Sequence, residues 1–95
     1  MSCVYVLLSE KTGKRYVGSS HENIPDIRLR AHNAGKTSST KAGRPWKLIH
    51  TESCEDFTEA RKRENWLKSG TGREYLDKLF ETRRRDRIVG LVRRT

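Results

Sequence analysis

The chain has 95 residues, 33% of them hydrophobic, with 21 Lys and Arg against 12 Asp and Glu, a formal charge of +9 and a pI near 10.1. That makes one domain with a small core, and the charge suits a polyanion partner, nucleic acid before an anionic membrane surface. The longest apolar run, Cys3 to Leu8, falls far short of a membrane span; no basic region precedes it as in a signal peptide, and two cysteines with three scattered histidines make neither a disulfide framework nor a zinc site, so a reducing cytoplasm is the expected compartment.

Cys3-Val4-Tyr5-Val6-Leu7-Leu8 reads as a strand, apolar on both faces and rich in β-branched residues. Ser9 to Lys14 is a polar turn containing a glycine, and Arg15 to Ser19 is a second strand, so the pair forms a hairpin. With an even loop between antiparallel strands, odd positions of the first share a face with even positions of the second. Tyr5 and Tyr16 therefore point the same way, as half-buried sheet aromatics or as a functional pair. Gly18 marks a bulge or a close backbone approach.

Asn23 to Gly35 reads as the first helix, capped by Asn23, with Pro25 in its first turn and Gly35 at its exit. Arg28 and His32 lie one turn apart on one face, and a guanidinium beside an imidazole suits an anionic oxygen such as that of a phosphate. Ile24, Ile27, Ala31 and Ala34 form an apolar stripe, and Leu29 lies nearly opposite. At about 100° per residue, Arg28 and His32 fall between these flanks. A helix apolar on two sides is expected to be wedged between two elements, with Arg28 and His32 facing a cleft and Arg30 facing solvent. Lys36 to Pro45 has the composition of a mobile basic loop, which lays Lys36, Lys41 and Arg44 along a phosphate backbone or is a plain linker.

Trp46 to Thr51 reads as a third strand, in which His50 has no evident partner and is taken as structural. Asp56 opens a second helix, with Glu59 completing a capping box. Glu64 falls inside that helix's apolar stripe of Phe57, Ala60 and Leu67. An ionised carboxylate there needs a partner, either a salt bridge to Arg28 or a metal ion at a cleft edge. Gly70 ends this helix, and Thr71-Gly72-Arg73-Glu74 is a further capping box opening a third through Tyr75, Leu76, Leu79 and Phe80. From Glu81 onward six arginines stand against two acids, in a weakly amphipathic helix over Ile88, Val89, Leu91 and Val92 or a tail that orders on a partner.

Taken in order, Val4-Tyr5-Val6, then Tyr16-Val17-Gly18 eleven residues on, then Arg28-x-x-x-His32-Asn33, Trp46-Lys47-Leu48 and Glu64-x-x-Leu67-Lys68 resemble the GIY-YIG nuclease family. The chain resembles especially its small stand-alone members, which are similar to the nuclease domain of the bacterial excision-repair subunit UvrC. The resemblance implies an α+β fold, a three-stranded antiparallel sheet flanked by helices, in a domain of residues 1–80 followed by the arginine-rich segment 81–95. It implies metal-dependent endonuclease cleavage of DNA phosphodiester bonds, at branched or damaged sites, with RNA and the oligomeric state left open and no membrane partner. Position by position it implies catalytic roles for Tyr5, Tyr16, Arg28 and His32, and for Glu64 as the ligand of one Mg²⁺ or Mn²⁺. The first motif has Cys3 and Val4 in place of glycine and isoleucine, and Ser19 stands where some members carry lysine.

A single carboxylate with waters and substrate oxygens is ordinary magnesium chemistry, and Arg28 is expected to grip a non-bridging phosphate oxygen. Two residues compete as general base. The family points to Tyr5, whose phenol, ordinarily near pKa 10, must be depressed by Arg28 and the metal. His32 titrates close to neutrality unaided. A catalytically weak or inactive nucleic-acid-binding module of the same fold is the alternative reading.

Overall fold

A strand apolar on both faces belongs in the middle of a sheet, and β1 (Ser2–Ser9) takes that place. In the computed structural model the sheet order is β2-β1-β3, with both pairs antiparallel, β2 at Arg15–Ser20 and β3 at Trp46–Cys54. The helices are α1 (Pro25–Asn33), α2 (Ser38–Lys41), α3 (Phe57–Lys68) and α4 (Gly70–Arg93). The expected α+β architecture is therefore present. The structure describes residues 1–93, with side chains through residue 81. The chain divides into two compact units, Met1–Asn65 and Trp66–Thr95.

The hairpin register puts Tyr5 across from Gly18 and Leu7 across from Tyr16, so the two tyrosines share a face as their parity requires. Ser9 organises the turn: its hydroxyl accepts from the amides of Lys11 and Thr12 and donates to the Gly43 carbonyl at 2.6 Å. Gly13 closes the turn at φ +75°, in the left-handed region. β3 runs three residues beyond its expected end, pairing Glu52, Ser53 and Cys54 with Val4, Cys3 and Ser2. Val6 faces His50 and Leu7 faces Leu48, which leaves Ile49 as a bulged extra residue. The bulge shifts the parity of β3 and turns Trp46 and Leu48 into the core of Cys3, Tyr5 and Leu7, against which Tyr16 and Leu29 also pack.

α1 packs on this face, but by only one of the two sides its pattern suggested, that of Leu29. Ile24 is 51% exposed and Ile27 43%, whereas His32 is wholly buried and Leu29 is packed on the core. The helix has one packed side rather than two, because the hydrogen bonds His32 finds inside the protein set its rotation. Asn23 is not its cap: Ile24 holds that position without a side-chain bond, and the Asn23 side chain accepts from Ser53. Gly35 does form the exit, at φ +78°. The segment after it is tied down rather than mobile. Trp46 Nε1 donates to the Thr40 carbonyl at 2.8 Å, and the Asn33 amide clasps the Trp46 backbone in both directions.

On the opposite face, Ser19, Val4 and Glu52 form one row across the three strands. α3 lies over that row and engages its two ends with neighbouring residues. Arg63 donates to Glu52 at 2.7 and 3.3 Å, and Glu64 accepts from Ser19. His50, two residues before Glu52 on the same strand face, bonds the Glu52 carboxylate at 2.8 Å, which supplies the partner the sequence did not show. At the start of α3, Asp56 accepts from the Glu59 amide as a capping residue should.

Burial pushes the Glu52 carboxyl up, but the hydrogen bonds from Arg63 and His50 outweigh it and leave it below the usual value. A carboxylate with a depressed folded pKa adds stability that is present in full at neutral pH and is lost as the pH falls through that folded value. We therefore expect Glu52→Gln to cost about 1–2 kcal/mol in urea unfolding at pH 7. The gap to the parent chain should close in acid below the ordinary carboxylate range.

In the second unit, Ser69 rather than Thr71 caps α4: its hydroxyl accepts from the Gly72 amide and its carbonyl from the Arg73 amide. The expected third helix thus begins at Gly70 and continues as backbone helix to Arg93. The side chains of Ile88, Val89, Leu91 and Val92 lie outside the described residues.

Candidate active site

Gly18 shapes the site. A Cβ built there would stand 2.5 Å from both Cζ and Oη of Tyr5, so the absence of a side chain on β2 is what lets the phenol cross above that strand toward the sheet edge. Gly18→Ala should push the buried ring aside, costing about 1–3 kcal/mol of stability. Urea unfolding of the variant beside the parent chain reads that loss.

At the end of that phenol several elements converge. The Tyr5 hydroxyl and His32 Nε2 are 3.0 Å apart, and His32 Nδ1 lies 2.8 Å from Thr40 Oγ1. Thr40 donates its own proton to the Thr37 carbonyl at 3.3 Å, so its oxygen accepts from His32 Nδ1–H. That fixes the tautomer: Nε2 is the bare nitrogen, and Tyr5 O–H donates to it. Burial raises the Tyr5 phenol above its usual pKa, against hydrogen bonding and charge from Arg28 and with further upward pushes from Tyr16 and Glu64. Burial and the Arg28 charge lower the His32 pKa, leaving the imidazole neutral at pH 7. Arg28 does push the phenol down, as expected, but desolvation is the larger effect and the net shift in the chain alone is upward.

Tyr16 completes the aromatic cluster, with ring centroids 6.4 Å from Tyr5, 4.9 Å from His32 and 6.2 Å from Trp46. Arg28 leans on Tyr5, and the buried Nε of its guanidinium has no hydrogen-bond partner among the described residues. Glu64 arrives from the other sheet face and is 5% exposed. Its carboxylate takes the Ser19 hydroxyl and lies 3.8 Å from Arg61. The salt bridge to Arg28 is therefore not formed; Arg28 serves the phenol instead. Arg28 and Ser19, the hydroxyl partner of Glu64, nevertheless line one cleft of about 360 Å³. Sequence reasoning missed Thr40 and Ser19, the two hydroxyls that orient His32 and Glu64.

The GIY-YIG catalytic domain family matches residues 1–77. The chain belongs to the GIY-YIG family. No curated protein and no solved structure matches it. GIY-YIG domains are nuclease domains, so the relevant chemistry is endonucleolytic cleavage of a nucleic acid, generally with a divalent metal ion. The donor set here fits such an ion. Among the described residues there is no cluster of three His, Cys, Asp or Glu side chains to cage one, but one buried carboxylate beside a cleft suits a hard cation that keeps waters and takes substrate oxygens.

The three cations expected to touch nucleic acid part company. Lys41 and Arg44, joined by Lys11 from the hairpin turn, line a depression of about 680 Å³. Lys36 lines another with Ile27, Arg30, Ala31 and Ala34. Arg44 also donates to the Lys41 carbonyl at 2.9 Å, which holds its guanidinium across the turn.

Proposed function

We propose that this GIY-YIG chain is a metal-dependent DNA endonuclease that hydrolyses one phosphodiester per catalytic centre, at branched or damaged sites. The observation that carries the proposal is the surroundings of one oxygen: the Tyr5 hydroxyl bonds His32 and feels Arg28, Tyr16 and Glu64. These five residues belong to four separate elements, and a phenol placed only for packing does not need them all.

Bound to Glu64, a Mg²⁺ or Mn²⁺ ion would supply charge stabilisation to the scissile phosphate and the leaving 3′ oxygen. The remaining work falls to the chain. Arg28, which lines the cleft, offers its guanidinium to a non-bridging oxygen. The Tyr5 oxygen accepts a proton from the attacking water as its own proton passes to His32 Nε2. The water oxygen bonds to phosphorus, the P–O3′ bond breaks, the leaving 3′ oxygen takes a proton from solvent water, and the products are a 5′-phosphate and a 3′-hydroxyl. In this scheme Tyr5 is the direct base and neutral His32 is the sink behind it, so no free phenolate is required. Lys11, Lys41 and Arg44 hold backbone phosphate away from the reacting one.

Because His32 must be neutral to accept, kcat should be flat at neutral pH and fall only in acid, below the ordinary histidine pKa of about 6.5. Incubation with plasmid and branched oligonucleotides in Mg²⁺, Mn²⁺ or EDTA tests the proposal. Nicking in either metal and none in EDTA is expected. Binding without nicking in every metal would instead identify a DNA-binding module that has lost catalysis.

A further inference from the structure

The cleft that holds Arg28 and Ser19 has a second kind of surface that the phosphodiester chemistry does not use. His21 and Phe57 stack face to face with ring centroids 3.6 Å apart and planes at 17°, and both line that cleft with Ile27. His21 is exposed and Phe57 half-buried, so the imidazole is the solvent-side member of the pair. The two rings come from different elements: His21 directly follows β2, and Phe57 is the first residue of α3. The position of His21 is set by its backbone, because its carbonyl accepts from the buried Ser2 side chain at 3.1 Å. Ile27 of α1, 43% exposed, adds an aliphatic side chain to the lining of the same cleft.

An aromatic pair with one open member, in a cleft that an aliphatic side chain and Arg28 also line, has the chemistry to take a nucleotide: a cation for the phosphate and an open aromatic face for the flat base. A base within an intact duplex keeps its faces covered by its neighbours and cannot enter such a cleft. A base that is unpaired, or lies beside a branch point, has a face to offer. We propose that His21, Phe57 and Ile27 form a nucleobase subsite that receives one unpaired base next to the scissile phosphate of DNA. This inference rests on the reading of the Arg28 cleft as the phosphodiester site, and it deepens that reading by naming the feature that selects distorted DNA.

The test uses the full chain in EDTA, so that DNA is bound without being cut. Two duplex oligonucleotides are compared by fluorescence anisotropy, identical except that one carries a single unpaired 2-aminopurine and the other an abasic analogue at that position. The expected result for the parent chain is about tenfold tighter binding of the 2-aminopurine duplex, the weight of one stacked base, with quenching of its fluorescence. In His21→Ala and Phe57→Leu the ratio of the two affinities should fall toward one. A loss that is only structural would weaken both duplexes equally and keep the ratio, and a retained ratio overturns the subsite. Equal binding of both duplexes by the parent chain also overturns it while leaving the nuclease reading intact. No binding to either duplex overturns both.

Discussion

Tyr5→Phe should cut the rate of phosphodiester cleavage by about 10²- to 10⁴-fold, the usual weight of a positioned acid–base group, with KM little changed. The substitution removes one oxygen and nothing else, so the ring still fills the core of Cys3, Leu7 and Trp46. It does leave Nε2 of the buried His32 ring, whose Nδ1 is already committed to Thr40, without a donor. A stability loss of about 1 kcal/mol is therefore expected alongside the kinetic one. Thermal unfolding separates the two effects, because so small a loss leaves the protein folded at assay temperature. A kcat equal to that of the parent chain would remove the phenol from the proton path and leave it as a sheet aromatic.

Glu64→Gln should lower cleavage by about a thousandfold, the weight of several kcal/mol of charge stabilisation at the transition state. It should also abolish the calorimetric signal of Mn²⁺ binding to the DNA-bound protein. Its effect on stability should be close to nil or slightly favourable. The amide oxygen can still accept from Ser19, and the cost of holding a buried charge is relieved. Lost activity and lost metal binding with retained stability mark a carboxylate kept for its ligand. If Glu64→Gln unfolds the chain and leaves metal binding untouched, the carboxylate is a structural anchor for α3.

Where local pattern decided the outcome, the sequence was legible. Strand parity placed Tyr5 and Tyr16 on one face before any coordinates, because a side-chain period of two depends only on counting across the turn. The Asp56 cap and the Gly35 exit were readable for the same reason. The rotation of α1 was not. A hydrophobic stripe of Ile24, Ile27, Ala31 and Ala34 predicted the buried side, but the polar His32 took that place, since two specific hydrogen bonds can bury an imidazole that pattern counts as polar. The partner of Glu64 was out of reach as well. Ser19 lies 45 residues away, and only the row it shares with Val4 and Glu52 brings it beneath α3.

The proposed mechanism depends above all on Tyr5 and His32 acting as one proton path rather than as two independent contributors. A double-mutant cycle on kcat/KM with Tyr5→Phe, His32→Gln and the pair together, run on branched DNA with Mg²⁺, tests that directly. The path predicts that the double variant is no slower than the worse single one. Losses that multiply, so that the double variant is slower by the product of the two, would contradict it.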